Sequence, residues 1–137
     1  MGLDTSHEAW HGAYGAFSRW REKLAEVAGY EIAEVAGQYG PHPTVLIDWG
    51  HIEEKNYTGD WDEIPSDPLI LLIAHSDCDG VIHPEHAKPL ADRLEELIPL
   101  LPEGDAPGHV RHWQQATRQF ADGLRAAAAA GEDLDFH

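Results

Sequence analysis

The sequence predicts a mainly α fold, a compact single-domain helical bundle of four or five helices over residues 1–137, with an irregular Trp-rich segment and at most a minor strand. Three observations lead there. Apolar residues recur at steps of three and four over three long stretches, the pattern of a helix with one buried face. Only one run, Thr44 to Trp49, is rich in β-branched residues. The length suits a single core burying roughly two thirds of the surface that the unfolded chain exposes.

Thr5-Ser6-His7-Glu8 matches a capping box, and Tyr14, Phe17, Trp20, Leu24 and Val27 mark the first amphipathic helix beyond it. Gly29 interrupts that pattern, and Ile32, Val35 and Ala36 predict a short second helix before Gly37 to Pro43. Thr44-Val45-Leu46-Ile47-Asp48-Trp49 fits a strand, placed near Val45 to Asp48, whereas Gly50 to Ser66 reads as an irregular surface cover. Trp49 and Trp61 lie outside the periodic stretches, where an indole most often clamps a loop onto a core.

The apolar run Leu69 to Ala74 suits either a strand or two helical turns, and its punctuation favours helix. Asp67 can cap free amides, and Pro68 suits the first turn, where its missing N–H costs nothing. A further helix opens at Pro84, carries Ala87, Leu90, Ala91, Leu94, Leu97, Ile98 and Leu101 on one face, and stops at Pro102-Glu103-Gly104. The last helix runs from about Gly108, with Val110, Trp113, Thr117, Phe120 and Leu124 inward, through the alanines 126–130 to Gly131.

Charge bounds the partners. Nine Lys and Arg face 25 Asp and Glu, a formal net charge of −16. That excess repels a phosphate backbone and an anionic membrane surface, so direct nucleic-acid and membrane binding are disfavoured; solubility or a general acidic bias is the plain reading of the acidity, and imitation of a polyanion or docking on a basic protein partner the sharper one. Exposed aromatics serve a homodimer interface equally well. Cys78 is the single cysteine, which rules out an intrachain disulfide and a four-cysteine zinc site. A reducing cytoplasm is the expectation, since Met1 to Trp10 has neither the basic nor the apolar region of a signal peptide and the longest apolar run, Leu69 to Ala74, is too short to span a bilayer.

Chemistry concentrates in His75-Ser76-Asp77-Cys78-Asp79-Gly80-Val81-Ile82-His83-Pro84-Glu85-His86. Its layout resembles an EF-hand-type loop of about twelve residues, with His75 first, Asp77 third, Asp79 fifth, Gly80 at the sharp sixth turn and Val81 offering its carbonyl in the seventh slot. Ile82 is then the apolar eighth residue, and Pro84 opens the exit helix. The candidate ligands are therefore His75, Asp77, Asp79, Val81, Glu85 and His86, and calcium is the first ion expected. The first and last slots hold His75 and His86 where carboxylates are usual, and Glu85 stands one residue early. Imidazole suits a transition metal such as zinc or manganese better than calcium. The plainer alternative is that Asp77 and Asp79 cap the following helix and line an Asx turn.

The same block is similar to the first motif of haloacid-dehalogenase-type phosphatases, which would make Asp77 a nucleophile and Asp79 a general acid around magnesium. Two polar residues separate the apolar run from Asp77, however, and only 58 residues follow Asp79. The Asp-x-Asp-Gly of DHH phosphoesterases is also similar, but their Asp-His-His signature is absent.

The Phe17 to Ala25 helix, Asp67-Pro68-Leu69 leading into His75-Ser76-Asp77-Cys78-Asp79-Gly80, Leu90 to Leu94, and Phe120 to Leu124 through Phe136 together resemble small uncharacterised proteins of actinobacteria and their phages. Such relatives carry a further cysteine or acid near the position of His86. The resemblance implies no activity. The function expected from the sequence is thus a small acidic non-enzymatic binding or accessory protein, phage-encoded by that resemblance, with a metal-binding acidic loop. A metal-dependent hydrolase and a charge-mimicking inhibitor of a basic protein are the alternatives. No catalytic residue and no organic cofactor are assigned.

Overall fold

The computed structural model describes residues 2–103 and 112–137. It corrects the mainly α expectation: four α-helices share the described residues with three two-stranded antiparallel sheets, an α+β arrangement. Strands β1 (Gly2–Asp4) and β2 (His11–Ala13) pair at the N-terminus and run into helix α1 (Tyr14–Val27). Strands β3 (Ile32–Val35) and β4 (His42–Val45) form a hairpin. The short helix α2 (Ile70–Ile73) precedes strand β5 (Val81–Ile82), helix α3 (Pro84–Leu97) and helix α4 (Trp113–Ala130), and strand β6 (Leu134–Asp135) pairs back on β5.

Each departure has a local cause. Thr5-Ser6-His7-Glu8 does not start α1. It forms one 3-10 turn in which His7 and Glu8 hold positive φ, and the Thr5 hydroxyl accepts the Trp10 amide at 2.9 Å. Ile32 and Val35 belong to β3 and not to a helix, because Gly29 turns the chain back and residues 42–45 supply a ladder partner. The strand expected near Val45 to Asp48 lies earlier, at His42–Val45. Gly50 to Ser66 is the irregular cover foreseen, built on 3-10 turns at Trp49–His51 and Glu54–Thr58.

Asp67 caps as its sequence position predicts, accepting the Leu69 amide at 3.0 Å, the Tyr30 hydroxyl at 2.8 Å and Arg93 Nε at 3.0 Å. One carboxylate thereby ties the start of α2 to α3 and to the chain entering β3. Pro84 opens α3 directly after His83, while its end falls at Leu97, followed by a 3-10 turn over Ile98–Leu100. Gly104, Gly108 and Val110, placed by the sequence at the α3 exit and the α4 entrance, lie outside the described residues. Trp113, Thr117, Phe120 and Leu124 are buried on α4 as expected, and the helix stops at Gly131.

Helices α3 and α4 pack along each other, and Phe17, Trp20 and Leu24 of α1 join the same buried core, Trp20 directly against α4. Trp20 is fully buried, stacked on Trp10 at 5.0 Å and tilted against Phe120 at 5.0 Å. Its indole N–H donates to Thr117 Oγ1 at 2.9 Å, whose own hydroxyl donates to the Trp113 carbonyl at 2.8 Å. A buried indole of this kind needs such an acceptor. Thr117→Val keeps the shape and removes only the hydroxyl, so it should cost about 1–3 kcal/mol by stranding the Trp20 N–H. Urea denaturation checks this, and a midpoint equal to the parent's would show that the bond is immaterial.

Candidate functional site

Arg21 projects from α1 under the end of α2 and organises the acidic loop. Its Nη1 donates to the carbonyls of His75 at 2.6 Å and Leu72 at 3.2 Å, with Ile73 at 3.5 Å, and its guanidinium lies 4.5 Å from the Phe17 ring centroid. Carbonyls at and just beyond a helix end are short of backbone partners, and a half-buried cation can gather them. Burial lowers its pKa to about 10, against the opposing pull of Asp77 and Glu22. The guanidinium stays charged.

His75 follows immediately and is 3 % exposed. Its ring stacks on Phe136 at 3.9 Å, and Nδ1 and Nε2 lie 2.8 and 2.9 Å from the carbonyls of Ser76 and Val81. Burial, reinforced by Arg21, lowers its pKa and outweighs the two carbonyls and Asp79, which pull it upward. A neutral imidazole donates to one of the two carbonyls only.

This geometry explains the glycine of the acidic block. Gly80 has φ +91, and a Cβ there would stand 2.7 Å from Thr58 Cα; a Cβ on Gly59, at φ +88, would collide with the Val81 carbonyl. Two backbone turns therefore press together, which glycine alone permits. Ile82 is buried, as its place in the loop predicts.

The six expected ligands are dispersed. His75 Nε2 lies 2.9 Å from the Val81 carbonyl, and the ring, stacked on Phe136, is nearly closed to solvent. Asp77 is half-buried, facing the charge of Arg21; Asp79 and Glu85 are exposed; and His86 is buried in α3. Among the described residues, no group of three or more His, Cys, Asp or Glu is placed to hold a metal ion. His83 instead meets Asp133 at 3.0 Å, a contact that raises its pKa. The phosphatase-like layout needs an apolar strand ahead of Asp77, but that run is α2, and the three named sheets are antiparallel.

The feature that sequence reasoning missed is the β3–β4 arm. Every residue from Glu34 to Pro43 is exposed, and Tyr39 at its tip is 96 % exposed. Trp49 closes the arm's base, its indole N–H donating to the Val45 carbonyl at 3.3 Å and its ring tilted toward Tyr57. Between Glu31 and Asp67 the chain carries nine acids and one Lys or Arg, Lys55, and all of those acids except Asp67 are exposed. Lys55 is held by Asp62 and Glu53, leaving the stretch strongly anionic. The uneven charge along the chain was the available signal.

Comparison with family models, with curated proteins and with solved structures finds no match. No helix among the described residues is long and apolar enough to cross a membrane.

The lowered pKa of His75 makes stability depend on pH with a definite sign. The unfolded imidazole takes a proton near its ordinary value of about 6.5, before the folded one does, so stability is complete above that pH and falls as pH drops toward the folded pKa. Burial gives His86 the same sign, whereas His83, raised by Asp133, acts oppositely. His75→Gln should therefore be less stable than the parent at pH 7.5 yet lose less stability on going to pH 5.5. Thermal denaturation at both values tests it; equal losses in the two proteins would remove His75 from the pH response.

Proposed function

We propose that the protein is a small non-enzymatic accessory protein that binds a basic protein partner through the β3–β4 arm and the acidic cover following it. The observation that carries this reading is the arm itself: a solvent-exposed hairpin with a bare tyrosine at its tip, at the start of a stretch holding half of the chain's net charge of −16. A hairpin that buries none of its distal residues contributes little to its own fold, so its exposed aromatic is free to contribute to an interface. The surrounding carboxylates would steer a cationic surface toward it and give the complex a strong salt dependence. A reducing cytoplasm suits the exposed thiol of Cys78.

An oligolysine peptide carrying one central tryptophan is a direct probe. Reversing two charges in this stretch (Glu34→Lys with Glu54→Lys) should weaken its binding by about tenfold at low salt, an effect of roughly 1.4 kcal/mol. Reversing two exposed acids elsewhere (Glu85→Lys with Asp122→Lys) should weaken it much less, and Tyr39→Ala should weaken it independently of salt. Equal losses from the two double variants would mean that only the overall charge matters and would overturn the assignment.

A further inference from the structure

The arm's two edges differ, and the difference identifies how a partner would be held. Leu46 N–H donates to the Glu31 carbonyl at 2.7 Å, and Gly37 and Gly40 exchange both backbone bonds at 3.2 Å across the tip. With the register Ile32↔Val45, Ala33↔Thr44, Glu34↔Pro43 and Val35↔His42, alternation makes Ala33 and Val35 the residues bonded to β4. The peptide groups of Ile32 and Glu34 on β3, and of Pro43 and Val45 on β4, point outward.

The β4 edge is closed. Pro43 has no N–H to offer, nor does Pro41 beyond it, and the Val45 carbonyl is taken by the Trp49 indole at 3.3 Å and the Ile47 amide at 3.2 Å. Helix α1 also packs against β4. Prolines of this kind are the usual guard on a strand edge. The β3 edge has no such guard: among the described residues, no other element bonds the outward amides and carbonyls of Ile32 and Glu34.

We infer that β3 accepts an extended Lys- or Arg-bearing segment of the partner as a third strand. This rests on the reading above and specifies its binding mode. Backbone bonds to Ile32 and Glu34 would supply the pairing, while Glu31 and Glu34, one on each face of the strand, select cationic side chains. A second copy of this chain is the poorer occupant, because it would set the same two acids against Glu31 and Glu34.

The test uses the isotope-labelled full chain and a synthetic peptide of alternating lysine and valine, followed by amide resonances and hydrogen exchange. The Ile32 and Glu34 amides should shift and exchange at least tenfold more slowly on binding, while Ala33 and Val35, already bonded to β4, change little. Glu34→Pro removes one outward N–H without touching the inner ladder and should weaken binding at least tenfold. Should that variant fail to fold, the exchange pattern of the parent decides. Binding that shifts the 53–63 amides but leaves Ile32 and Glu34 unprotected would overturn strand addition and leave the acidic docking surface standing. No binding at low salt would overturn both. A concentration-dependent dimer that protects the same two amides would assign the edge to a second copy and overturn the inference.

Discussion

A one-turn helix leaves the carbonyls at its end short of partners, and Arg21 answers that constraint here, adding to the His75 amide already on the Leu72 carbonyl and reaching on to the carbonyls of Ile73 and His75. Residues Ile70–Ile73 are too few to be stable alone, since nucleation costs more than so few hydrogen bonds return. They hold because Asp67 caps one end and Arg21 gathers the carbonyls of the other. The same guanidinium fixes the His75 carbonyl, so the imidazole emerges at a set angle and meets Phe136. That cation anchors the start of the acidic loop on α1.

The C-terminal residues complete the arrangement. Phe136 N–H donates to the Gly80 carbonyl at 2.9 Å, β6 pairs with β5, and His137 and Asp4 exchange backbone bonds at 2.8 and 2.9 Å. The last residues are thus threaded between the N-terminal strand pair and the acidic loop. Phe136 meets Phe17 and Phe120 on its way and so links the loop to the aromatic core around Trp20. Contacts between the two ends of a chain are costly to close and weak individually. Here they are reinforced by a buried ring and by the stack on His75.

The legible part of the fold was whatever a single helix can encode within itself. The face of α1 from Tyr14 onward, the start of α3 at Pro84 and the stop of α4 at Gly131 were all readable, because periodicity and caps are local. Strand β3 was not, since Ile32, Val35 and Ala36 satisfy a helical step as well as a strand and its turn lacks an Asn-Gly signal. Strand β6 is two residues long and exists only because it meets the distant β5, while the three residues of β1 pair with the nearby β2 across an irregular turn that carries no hairpin signal. The acidic block admits two readings for a related reason. Its aspartates, glycine and inward isoleucine match a metal loop in order and spacing, yet the glycine answers to the Thr58 backbone and the seventh-slot carbonyl to His75.

The functional surface was hidden by the same locality. An arm that projects is defined by what fails to pack on it, which no periodicity records. What the sequence does contain is an asymmetry: prolines at 41 and 43, none in β3, and acids on both faces of the unguarded strand. Prolines that block one edge while leaving the other bare are poorly explained as protection against aggregation, since one open edge suffices for that hazard. Glu31 and Glu34 provide the missing discrimination by charge: they repel copies of the same acidic strand while leaving the edge open to a cationic one.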